Sequence, residues 1–149
     1  MAKGAQEKNA RLFELYRAER DGVTFRPGAK DGSIPTHPVV PFPDIPESQV
    51  LSDCLAYLRA RRIVCDRMNV GAGHLEGRDQ FHTYGIPGAG DIMGLLRDGK
   101  HFEIECKRGK GGRLSKKQQE RQEKVLQSNG IYVIVHGIPE LEYYFKGLL

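Results

Sequence analysis

The chain lacks any apolar run approaching the roughly 20 residues that a membrane-spanning helix needs. Its first residues, Met1-Ala2-Lys3-Gly4-Ala5-Gln6-Glu7-Lys8, carry charge but no apolar core, so they do not read as a secretory signal. Cysteine is scarce and odd in number: Cys54, Cys65 and Cys106 stand alone, without the paired spacing of a zinc site. Each lies in an apolar segment, which predicts buried, reduced thiols and a cytoplasmic protein. Neither glycine cluster, at 85–90 or at 109–112, is followed by Gly-Lys-Ser/Thr at P-loop spacing, and this excludes that kind of ATPase. There is no internal repeat. A length of 149 residues fits one domain with a modest core.

What the chain does have is unevenly placed charge. The formal net charge is only +4. Yet Lys107-Arg108-Gly109-Lys110-Gly111-Gly112-Arg113-Leu114-Ser115-Lys116-Lys117 is dense in cations and holds no acid. Arg108, Lys110, Arg113, Lys116 and Lys117 are therefore candidates for nucleic-acid contact, since each cation set on a phosphate releases a counterion. A solvated loop that keeps the protein soluble fits the same composition.

Residues 5–20 read as a helix, with Leu12, Leu15, Tyr16 and Glu19 on one side and Phe13 beside them. From Asp21 to Pro46 prolines recur too often for continuous helix or central strand, so an extended linker or a strap over the core is expected. Residues 1–46 thus form an N-terminal extension, and residues 47–149 the compact domain. Pro46 suits a first helical position, with Glu47 in the first turn and Leu51, Cys54, Leu55 and Leu58 at helical spacing. A strand is expected over Ile63–Val70, a long glycine-containing loop over Gly71–Gly90, and strands near 91–96 and 100–107. After the basic loop come a helix over Ser115–Ser128 closed by Asn129-Gly130, an apolar buried strand at 131–135, and a helix from Pro139. The order helix, three strands, helix, strand, helix predicts an α/β fold, a mixed sheet flanked by helices.

Two short apolar segments carry the chemistry. Asp91 opens one, and Glu105 and Lys107 end the other, two apart and so on one face of a strand. Whether Asp91 joins them depends on the turn between. A two-residue Asp98-Gly99 turn pairs Asp91 with Cys106 and turns Asp91 away from Glu105. A three-residue Arg97-Asp98-Gly99 loop, with Gly99 left-handed, pairs Leu96 with Lys100 and sets Asp91 opposite Glu105. Their Cβ atoms then stand roughly 4.5–5.5 Å apart. The three-residue loop, or an equivalent bulge, is the expectation.

Two carboxylates so placed, with the Cys106 main-chain carbonyl, can hold Mg2+ or Mn2+, hard cations that take oxygen ligands and keep waters for phosphate. Lys107 can orient an attacking water or stabilise developing charge. Glu47 lies on the same helical face as the apolar stripe, although alone it also reads as an acid favouring a helix N-terminus. Gln118, one turn into its helix, can reach toward Lys107 or simply stand on the surface.

At these residues the chain resembles the VRR-NUC family (virus-type replication-repair nucleases), a branch of the PD-(D/E)XK superfamily. The resemblance rests on Glu47 at its helix start, Met68-Asn69-Val70-Gly71-Ala72-Gly73 and Gly85-Ile86-Pro87-Gly88-Ala89-Gly90-Asp91-Ile92. It continues through Phe102-Glu103-Ile104-Glu105-Cys106-Lys107 and Gly112-Arg113-Leu114-Ser115-Lys116-Lys117-Gln118, and covers about residues 47–136. It implies a restriction-endonuclease-like core binding Mg2+ or Mn2+ through Asp91, Glu105 and the Cys106 carbonyl, with Glu47 as a further ligand. Lys107 is then catalytic, and Glu47 and Gln118 support the site. The implied activity is endonucleolytic cleavage of branched DNA (Holliday junction, flap or fork) in phage or bacterial replication, recombination and repair, by a homodimer. One departure is Gly90, where the family usually has proline before the aspartate. The alternative is a non-catalytic nucleic-acid-binding module that keeps the fold and the basic loop.

Overall fold

The structure, a computed structural model, describes residues 30–68, 71–74 and 81–149, with backbone alone at 71–74 and 81–84. The helix expected over 5–20 lies outside these residues, as do Asn69 and Val70.

The helical spacing after Pro46 folds as α1, Glu47–Ala60, and buries Val50, Cys54 and Leu58. Pro46 caps this helix instead of occupying its first turn, because its ψ of 152° is extended. Its carbonyl nonetheless accepts from the Gln49 and Val50 amides. The sheet on which α1 packs has four strands, Val64–Arg67 (β2), Ile92–Leu95 (β5), His101–Cys106 (β6) and Ile131–Val135 (β8), in the order β2-β5-β6-β8. The first three are antiparallel neighbours, while β6 and β8 run parallel. Parallel strands need a crossover, and the helix Lys116–Gln127 (α2) supplies it.

Alternation along β6 and β8 divides the core. Phe102, Ile104, Cys106, Val133 and Val135 meet α1 and the last helix, Ile138–Phe145 (α3), on one face. Tyr132 and Ile134 join Val125 of α2 on the other. At roughly 1.5–3 kcal/mol for each fully buried apolar side chain, these two layers set the strand register. The sheet is mixed and helices flank it, in the expected order. All three cysteines are buried and free. Among the described residues no helix is long and apolar enough to cross a membrane.

Helix α2 is delimited by local chemistry. Ser115 is its N-cap, and a reciprocal box links it to Gln118. At the other end Asn129 takes the left-handed conformation (φ 62°), the Asn129 amide donates to Leu126 O and the Gly130 amide donates to Val125 O. This is the Schellman closure, with asparagine in the place glycine usually fills.

Three expectations need correction. The segment Gly71–Gly90 is not all loop: Gly71–His74 (β3) pairs antiparallel with Phe81–Tyr84 (β4). The basic segment also contains a strand, Arg113–Leu114 (β7), which pairs with Ile34–Pro35 (β1) of the proline-rich strap. Within the described part of the segment Ile63–Val70, expected as one strand, the strand runs over Val64–Arg67, and Met68 still donates to Asp91 O. Residues 30–46 lie against the compact part, with Ser33, Ile34 and Thr36 buried.

Candidate active site

The turn decides the site, and it takes the three-residue form. Leu96 N–H donates to Lys100 O at 2.9 Å, Gly99 N–H donates to Leu96 O at 2.9 Å, and Gly99 is left-handed at φ 86°. Asp98 Oδ1 accepts from the Lys100 amide at 3.0 Å, which fixes the loop tip. The resulting register pairs Ile92 with Ile104 and Leu95 with His101. One step further, Asp91 stands opposite Glu105. Because Leu96 and Lys100 form a hydrogen-bonded pair, alternation makes the Asp91–Glu105 pair a non-hydrogen-bonded one, where side chains stand closest.

Asp91 Oδ2 accepts from the Cys106 amide at 2.8 Å. The next amide, that of Lys107, donates to Val135 O on the opposite edge of β6. Within a strand the N–H and C=O of one residue share an edge, so the Cys106 carbonyl faces the Asp91 side. That is the side on which a metal held by both carboxylates would need it.

Glu105 is the most constrained member, only 3% exposed. Its Oε1 accepts from Gln118 Nε2 at 2.7 Å and from Lys107 Nζ at 3.0 Å. Its Oε2 is buried with no hydrogen-bond partner among the described residues. Burial, followed by the charge of Asp91, pushes its pKa up to about 7, against the pull of Lys107. Burial also raises the pKa of Asp91, partly offset by the Cys106 amide and by Lys107. Two desolvated carboxylates facing each other resist ionising together. A buried, unpartnered carboxylate oxygen beside a second carboxylate is a donor set that a hard cation completes, so these residues fit such an ion.

Glu47 is exposed at the first residue of α1, where its charge contributes to raising the pKa of both Asp91 and Glu105. Among the described residues no three or more His, Cys, Asp and Glu side chains form a ready-made metal cluster. The donors that the structure brings together are thus the two carboxylates and the Cys106 carbonyl, with Glu47 near them as a charge. Gln118 spends its amide on Glu105 and on the Ser115 N–H at 2.8 Å. It braces the site more directly than it reaches outward.

The basic loop is less uniform than its composition. Arg113 is tied to the strap, donating to Ser33 Oγ and Ser33 O, both at 2.9 Å. Arg108 lies 3.7 Å from Asp44. The stem of Lys116 lies over Gly32, while Lys110 and Lys117 are exposed.

Sequence reasoning missed several contributors. Arg67, at the end of β2, lowers the pKa of Asp91 by its charge. Tyr132 is buried among the acids and donates from its hydroxyl to Gly88 O at 3.1 Å. Buried Glu103 and half-buried Arg121 form an ion pair beside the site. The alternation that places Glu105 and Lys107 on one face places Glu103 there too, and Arg121 lies three residues beyond Gln118 on α2. The spacing gives each residue its face, but not the contact between the two elements.

Comparison of the chain with protein-family models, with curated proteins and with solved structures finds no match in any of the three.

Proposed function

We propose that this protein is a metal-dependent endodeoxyribonuclease of the VRR-NUC type, with a restriction-endonuclease-like core, acting on branched DNA as a homodimer. The observation that carries this reading is the opposition of Asp91 and Glu105, with Glu105 Oε2 buried and unpartnered among the described residues. Binding alone gives no reason to force two carboxylates together in a desolvated place, where their repulsion destabilises the fold.

Asp91, Glu105 and the Cys106 carbonyl would hold Mg2+ or Mn2+, with Glu47 as a further acid at the rim. Such an ion would supply Lewis-acid chemistry there, lowering the pKa of a nearby water and offsetting charge on the scissile phosphate. Lys107, held by Glu105 at 3.0 Å, places an ammonium beside the same point, where it orients a water or meets developing negative charge. Gln118 keeps Glu105 oriented by its 2.7 Å hydrogen bond. Exposed Lys110 and Lys117 lie in the segment flanking Lys107 and offer contacts to the phosphate backbone.

Cleavage of four-way junctions, flaps and forks with Mn2+ or Mg2+ tests the proposal, with sedimentation to fix the oligomeric state. Asp91→Ala is expected to abolish cutting while DNA binding persists. A wild-type protein that binds these substrates and cuts none of them in any divalent metal is instead a binding module.

A further inference from the structure

Glu103 stands two residues before Glu105 on β6, on the same face. It is the one charged side chain among the described residues that is 0% exposed. Four donors meet its carboxylate. Gly90 N–H donates to Oε2 at 3.0 Å, and His101 Nε2 lies 2.9 Å from Oε1. Arg121 donates from Nε at 3.0 Å and also from Nη2. With its oxygens so engaged, Glu103 has nothing left to offer a cation, unlike Glu105.

Each of these partners leads to a residue of the site. Gly90 precedes Asp91 and lies hard against β6: a Cβ placed on it would come 2.9 Å from both the N and the O of Ile104. The chain entering β5 is thus pressed onto β6, and the Glu103 carboxylate pins its N–H there. Arg121 lies one turn beyond Gln118 on α2, on the same helical face. Holding Arg121 therefore seats the turn that presents Gln118 to Glu105. Fold stability alone does not call for this arrangement, since a buried ion pair is often no better than an apolar pair of similar volume. An apolar pair, however, cannot hold the Gly90 amide.

We propose that Glu103 is a positioning residue, which fixes Asp91 through the Gly90 amide and Gln118 through Arg121. The metal part of this inference rests on the nuclease reading; the positional part does not.

The test uses the full chain. The Cys106 amide, which donates to Asp91, reports by its proton chemical shift in metal-free NMR spectra whether Asp91 is in place. In Glu103→Gln the Cys106 and Gly90 amide resonances are both expected to move, and Mn2+ affinity, read by electron paramagnetic resonance titration, to fall by about tenfold. A lower Tm with an unmoved Cys106 resonance and Mn2+ affinity within about twofold of wild type would overturn the proposal, because a purely structural loss has that signature. Should Glu103→Gln fail to fold, Arg121→Lys keeps the cation and removes the fork. It is expected to move the Gln118 side-chain amide resonances and weaken Mn2+ binding, and no change in either refutes the Arg121 half. A wild type that takes up no Mn2+ sinks the nuclease reading, while the Cys106 resonance still decides whether Glu103 governs Asp91.

Discussion

Glu105 faces two opposed demands. Its pKa of about 7 in the folded protein lies above the ordinary value of 4.5, so the folded chain holds a proton that the unfolded chain releases. The contribution of this group to stability is complete below about pH 4.5 and is lost as pH rises through about 7. A shift of that size corresponds to about 3 kcal/mol at most. Glu105→Gln stays neutral throughout and keeps an oxygen for the Gln118 amide, although it leaves Lys107 without its partner. At pH 8 without metal the variant is expected to be about 1–3 kcal/mol more stable than wild type, and to have lost Mn2+ binding. Thermal melts at pH 5 and pH 8 check this, since the difference should nearly vanish at the lower pH. An equal or lower Tm at pH 8 refutes the idea that the folded protein is strained by this carboxylate. At the same scale Gly90 acquires a reason. Proline in that place would fix φ but carry no N–H, whereas Gly90 is restrained through the very amide that Glu103 holds.

Among the elements, legibility followed the range of the interactions. The loop Arg97-Asp98-Gly99 could be read because the left-handed need of Gly99 and the face requirement of Asp91 are both local. The apolar run 131–135 and the Asn129-Gly130 stop were readable for the same reason. The pairing of Ile34–Pro35 with Arg113–Leu114 was not, because nothing near Ile34 names a partner strand so distant in sequence. Nor was the fourfold use of Glu103, which depends on Arg121 arriving from a different element. Helix α2 shows both kinds at once. Ser115-x-x-Gln118 closes a local capping box, yet Gln118 also holds Glu105 across to β6. Ser115→Ala should therefore do more than remove a cap. A stability loss of about 1 kcal/mol is expected from the cap alone. Cleavage should fall as well, because Gln118 loses the partner that fixes its backbone. A lower Tm with unchanged cleavage would show that Gln118 keeps its place without the box.

For the whole molecule, the strap and the basic loop behave as one unit. The strap rests on that loop at several places. Arg113 donates to Ser33, Thr36 N–H donates to Gly112 O at 2.9 Å, and Phe42 lies against Gly109. Thr36 Oγ1 also lies 2.9 Å from His136 Nε2, and Glu140 accepts from the amides of Val39 and His136. A buried polar network thus ties the strap to β8 and α3, and through Gly112 to the turn beside Lys107. It follows that the five cations expected to contact phosphate do different work. Arg113 is a structural tie, so Arg113→Glu is expected to lower Tm by breaking two hydrogen bonds and setting an acid against Ser33 O. Lys110 and Lys117 are exposed, so Lys110→Glu with Lys117→Glu should leave Tm within a degree or so while weakening DNA binding. Taking one cation off a phosphate reduces the slope of log K against log salt by about 0.9, and the double variant should flatten it by nearly two. Binding titrations at several salt concentrations, alongside melts, separate these roles. A slope unchanged in Lys110→Glu/Lys117→Glu but flattened in Arg113→Glu would place the phosphate on the strap side of the loop and reverse the assignment.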